Sequence, residues 1–111
     1  MKKIAIPMSK DKLSAHFGHC EYFMVVDIDK NTVVSETRHT PPPHAPGVYP
    51  RWLAGKGVHE IIAGGMGQRA IALFRQNDIN VHLGVPDSTY NELINNYLSE
   101  NLVTGENRCD H

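Results

Sequence analysis

Apolar positions fall in short alternating or continuous runs split by glycine, proline and turn residues, the pattern of a chain that mixes strands with helices. Ile4-Ala5-Ile6 predicts a short buried strand closed by Pro7, and Met8 to Cys20 reads as a polar loop. Tyr22 to Ile28 is rich in β-formers, Asp29-Lys30-Asn31 supplies turn chemistry and Thr32 to Arg38 alternates, which together predict a hairpin. From Thr40 to Gly47 the prolines remove donors and keep the chain extended and stiff. Pro50 suits the first residue of a helix carrying Trp52 and Leu53, which Gly55 and Gly57 end. A fourth strand, His59 to Ala63, turns at Gly64-Gly65-Met66-Gly67 into an amphipathic helix over Gln68 to Gln76. A fifth strand over Ile79 to Leu83 leads to a last helix with Leu93, Ile94, Tyr97 and Leu98 at helical spacing, capped by Asp87 or Ser88. The order βββ-α-β-α-β-α predicts an initial meander followed by parallel crossovers, with helices covering the sheet.

At 111 residues this is one domain, expected over 1–105, with 106–111 as an extended tail. A net charge of −1 with interleaved signs leaves no electrostatic footprint for nucleic acid or an anionic membrane. The apolar run after Lys2-Lys3 is too short for a signal peptide, and no stretch approaches a membrane span. The cytoplasm is therefore the expected compartment. There a lasting disulfide between Cys20 and Cys109 is disfavoured, and the thiols are better explained by ligation or redox use.

Both cysteines sit beside histidines, in His16-Phe17-Gly18-His19-Cys20 and in Cys109-Asp110-His111. Thiolate with imidazole suits zinc, copper, iron and mixed-metal sulfur clusters rather than calcium or magnesium. Cys109 and His111 project to one side of an extended segment, and His16 and His19 are spaced for chelation from a turn. His19 and Cys20 would point opposite ways in a strand. Each residue has a plainer explanation: a loop histidine, a small core cysteine, a frayed terminus. His44 lies in the stiff proline loop and is an extra candidate ligand, His39 a weaker one; His59 and His82 fall on strands and read as structural.

Gly65-x-Gly67-x-x-Ala70 has the form of a dinucleotide fingerprint, yet no acid stands at the end of the next strand to hold a ribose. The turn could instead hold an anion on its amides, with Arg69 adding a cation, or its glycines could simply serve a tight turn and close helix packing. Ser9 and Ser14 occupy no nucleophile elbow, and Ile4-Ala5-Ile6-Pro7 carries no acid for two-metal nuclease chemistry. Cys20 beside His16 or His19 leaves an activated thiolate open.

His16-Phe17-Gly18 with Tyr22 to Asp27, Pro46-Gly47 through Leu53, and Ile61 to Ala70 with Ile79-Asn80-Val81 resemble the dinitrogenase iron–molybdenum cofactor biosynthesis family. That family includes nitrogenase accessory proteins that hold or carry the cofactor, and a small orange protein with a molybdenum–copper–sulfur cluster. The resemblance implies an α/β, ribonuclease-H-like three-layer fold, with a mixed five-stranded sheet, one antiparallel strand and helices on both faces. It also implies a non-catalytic binder or carrier of a metal or metal–sulfur cluster (iron, molybdenum, copper or zinc), working with a cluster-assembly or acceptor protein. His16, His19, Cys20, Cys109 and His111 are then the metal-ligand candidates, and Gly64, Gly65, Met66, Gly67, Arg69 and His44 complete the cofactor site. A thiolate-dependent redox protein or enzyme using Cys20, and an anion- or nucleotide-binding regulatory module, remain as alternatives.

Overall fold

The structure, a computed structural model, describes residues 2–14, 20–43, 45, 47–86, 88–100, 102 and 104–105. The first strand, β1, runs over Lys2–Ser9 and is longer than its apolar centre suggested. Pro7 does not close it. Pro7 pairs with Phe23 across the sheet, while its carbonyl faces the other side and accepts from the Ser14 amide at 2.8 Å. N and O of one strand residue face the same way, so the missing proline N–H lies away from the β3 ladder and costs that ladder nothing.

A short strand, β2 (Lys12–Leu13), follows within the segment expected to be all loop. Lys10 and Asp11, both at positive φ, form the two-residue turn between β1 and β2. That geometry is a type I′ hairpin turn made without the usual glycine. Lys30 and Asn31 repeat it between β3 (Tyr22–Asp29) and β4 (Thr32–His39). Helix α1 (Val48–Gly55) starts two residues before Pro50, which still falls in the first turn, where a missing N–H costs nothing. Then come β5 (Glu60–Ile62), α2 (Gln68–Gln76), β6 (Asn80–His82) and α3 (Tyr90–Leu98). Thr89 caps α3, in a capping box with Glu92. The Ser88 hydroxyl donates to Pro86 O instead, and Asp87 lies outside the described residues.

The sheet order is β4-β3-β1-β5-β6, with β2 pairing off β1. Within that five-strand path β3 alone runs against the others, as expected. The correction is the sixth strand, β2, which also opposes β1. Alternation along β1 and β3 separates two buried clusters. Ala5, Phe23, Val25 and Ile61 pack with Tyr49 and Leu53 of α1 and Ile71 and Phe74 of α2. Ile4, Ile6, Met24, Val26 and Ile62 pack with Leu93 and Ile94 of α3 on the other face. The mixed sheet is thus covered on both sides. No helix among the described residues is long and apolar enough to cross a membrane.

Candidate metal-cluster site

The carboxyl ends of β1, β5 and β6 open at one end of the sheet, where α/β folds usually hold ligands. The three helices among the described residues begin there, because each follows a strand or loop arriving at that end. The chain brings Cys20, the Gly64–Gly67 turn and the start of α1 to this end. His16, His19, His44, Cys109 and His111 lie outside the described residues. Among the described residues no group of three or more histidine, cysteine, aspartate and glutamate side chains is arranged to hold a metal ion.

Cys20 is half-buried and packs against the cluster that contains Tyr49 and Met66. The following residue is anchored, since the Glu21 amide donates to Met8 O at 2.8 Å. Burial pushes the Cys20 thiol up to about 12, against a smaller lowering by a backbone hydrogen bond. An activated thiolate has the opposite environment. A soft ligand hidden at the edge of an apolar cluster is compatible with this burial, because a metal removes the thiol proton on binding. Burial also raises the Tyr49 phenol, and its proximity to Cys20 adds to that. Tyr49, which meets Phe23 edge to face with ring centres 5.4 Å apart, was no candidate from sequence; no spacing rule links position 49 to position 20.

Gly64, Gly65 and Met66 are buried. The turn is held to the next crossover, with Ala63 N donating to His82 O at 2.8 Å and Gly84 N to Gly64 O at 3.1 Å. Gly67 differs. It has φ −66° and ψ 153°, extended backbone open to any residue, and a Cβ added there would meet nothing within 4 Å. Neither a tight turn nor close packing therefore requires glycine at 67, which overturns that explanation at this position. Gly67 is the N-cap of α2, with no side-chain cap and no acid in the first turn. Arg69 is exposed in that turn and makes no ion pair among the described residues. At α1 the N-cap Gly47 is likewise uncapped by a side chain, but its φ of 80° accounts for glycine. Two helix starts bearing partial positive charge thus stand at the end of the sheet that holds Cys20.

Of the other histidines, His82 lies on β6 as expected, but His59 is exposed just before β5 and not on it, and His39 is the last residue of β4. His39 bonds the Thr37 hydroxyl at 2.9 Å, and burial followed by Lys56 and Lys3 lowers its pKa. His82 bonds Glu60 at 2.8 Å. Trp52 is half-buried against Phe23, with the Lys56 ammonium 5.0 Å from its ring centre.

Residues 1–100 match the dinitrogenase iron-molybdenum cofactor family. An uncharacterized protein of Methanocaldococcus jannaschii is 37% identical over 87 residues, covering 74% of each chain. The crystal structure of PH0822 superimposes with a TM-score of 0.87 at 28% identity, covering 96% of this chain and 98% of that one. The apo form of the orange protein from Desulfovibrio gigas superimposes with a TM-score of 0.77 over 96% of this chain and 95% of that one. At 19% identity the second likeness concerns the fold alone. With its match spanning nearly the whole sequence, the chain belongs to the dinitrogenase iron-molybdenum cofactor family.

Proposed function

We propose that this chain is a non-catalytic binder or carrier of an anionic metal–sulfur cluster, the iron–molybdenum cofactor or a relative of it. The cluster is cargo, held where β1, β5 and β6 open and passed to an assembly or acceptor protein. The observation that carries this reading is Gly67, a glycine that neither backbone nor packing demands, at an uncapped helix start whose Cβ direction is empty. A missing side chain there keeps the approach to the α2 amides open, and Arg69 adds a cation to them. Cys20 supplies a soft donor at the same end of the sheet, and the histidines and Cys109 of the two ligand motifs are the further donors of the proposal. The single reversed strand in the five-strand path and the helices on both faces favour the ribonuclease-H-like description of the fold. Burial of Cys20 weighs against the thiolate-enzyme alternative.

The test is titration of the full chain, purified without oxygen, with tetrathiomolybdate and separately with nucleotides. Wild type should bind thiomolybdate saturably. Gly67→Val should weaken that binding about tenfold or more, while lowering folding stability by about 1 kcal/mol, since valine is a poorer N-cap than glycine. Undiminished binding by Gly67→Val overturns the reading. So does saturable nucleotide binding without any thiomolybdate response, which would install the nucleotide-binding alternative instead.

A further inference from the structure

The opposite end of the sheet carries a cavity of about 600 Å³ that no part of the cluster reading uses. It lies among the first residues of β1 and β5, the β3–β4 turn, the C-terminal end of α3 with Leu102 and Thr104 beyond it, and His82 at the end of β6. Its floor is a fixed polar group. Glu60, whose side chain is only 15% exposed, uses both carboxylate oxygens: one accepts from His82 Nε2 at 2.8 Å and the other from the Tyr97 hydroxyl at 2.8 Å. Lys2 reaches over the Tyr97 ring, 5.8 Å from its centre.

Around this floor the cavity is lined by Lys2 and Lys30 of one sign and by Asp29 and Glu100 of the other. Among the described residues no ion pair joins these four. Single unpaired surface charges are ordinary. Two of each sign bordering one concavity in the size range of small-molecule sites are a more specific arrangement. A simple anion would meet Asp29, Glu60 and Glu100, and a simple cation would meet Lys2 and Lys30, so each is opposed by part of the lining. A molecule carrying both signs meets complementary charge on both. We propose that this cavity binds a small zwitterion of free-amino-acid to dipeptide size, its carboxylate toward the lysines and its ammonium toward the carboxylates.

The experiment is a titration of the ¹⁵N-labelled full chain, followed by amide shifts, with each standard free amino acid and with acetate and methylammonium as one-charge probes. At least one amino acid should shift the amides of Lys2, Asn31, Glu60, His82 and Glu100 saturably, about tenfold more tightly than either one-charge probe. Lys2→Gln and Glu100→Gln should each weaken it about fivefold, the effect expected of a screened ion pair. Glu100 is exposed, so its variant keeps the test valid if Lys2→Gln disturbs β1. The proposal is overturned if no amino acid gives saturable shifts up to about 20 mM, beyond the weak end of useful affinity. Equal affinity for a one-charge probe, or unchanged binding by Glu100→Gln, overturns it as well.

Discussion

Glu60→Gln tests whether one carboxylate fastens three elements. Glu60 stands on β5 and accepts from His82 on β6 and from Tyr97 on α3, each at 2.8 Å. Glutamine keeps the size and one acceptor oxygen but loses the charge and the second acceptor. A hydrogen bond to a charged group contributes about 1.5–3 kcal/mol, so losing one bond and weakening the other should cost about 2 kcal/mol. With a urea slope of about 1–3 kcal/mol/M for a small domain, the unfolding midpoint should fall by about 1 M at neutral pH. The pH dependence separates charge from packing. Burial pushes the Glu60 carboxyl up, but the hydrogen bonds from His82 and Tyr97, with the charges of His82 and Lys2, outweigh it and hold the pKa below the usual value. A depressed pKa stabilises the fold above the unfolded value of about 4.3, and that contribution is lost as pH falls through the folded pKa. The gap between wild type and Glu60→Gln should therefore be full at neutral pH and narrow below about pH 4. A gap that stays constant into acid, or a midpoint moved by less than about 0.3 M, would refute the assignment of the stabilisation to the Glu60 charge.

In a Cys109→Ser background, Cys20 should react with iodoacetamide at pH 8 about a thousandfold more slowly than a free thiol, because a thiol at about 12 is almost wholly protonated there. Alkylation at the rate of a free thiol, followed by mass spectrometry, would reverse that reading and restore the thiolate alternative. Thr89→Ala removes the side chain that accepts from the Glu92 amide in the capping box and should cost about 1 kcal/mol in urea unfolding. A loss below about 0.3 kcal/mol would mean the cap contributes little to α3.

The bounds of α2 are legible in the chain, because Gly64 to Gly67 and Asn77-Asp78 punctuate a clean amphipathic run. Those of α3 were equally available, since Thr89-Tyr90-Asn91-Glu92 is a capping-box pattern, but Ser88 and Asp87 compete for the same role one and two residues earlier. β2 was not legible. Lys10-Asp11 lacks the glycine that marks a type I′ turn, and its positive φ values become visible only once Met8 pairs with Leu13. Pro7 misled for a related reason: proline ends a strand only where its N–H is needed, and which side of β1 needs donors is decided by neighbours distant in sequence. Cys20 and the glycine turn were visible as chemistry, whereas the burial that raises the thiol and the empty space at Gly67 are tertiary facts. The Glu60–His82–Tyr97 group joins positions 22 and 37 residues apart and has no local signature.

The three helix starts among the described residues share one end of the sheet, and the differences among them bear on function. α3 begins with Thr89 and Glu92 satisfying orphan donors reciprocally, as stability alone would favour. α1 begins at Gly47 because a φ of 80° excludes most side chains. α2 has neither reason: Gly67 sits in ordinary extended backbone with free space around it, where serine or aspartate would cap the helix better than glycine by a few tenths of a kcal/mol. A bound anion would serve as the missing cap, drawing on the same amide field that a capping side chain would otherwise consume. On this argument Gly67→Asp should stabilise the ligand-free chain and weaken thiomolybdate binding together, because the new carboxylate competes for the amides and repels the anion. If Gly67→Asp instead binds as tightly as wild type, the α2 amides are not where the anion rests, whatever the role of Cys20.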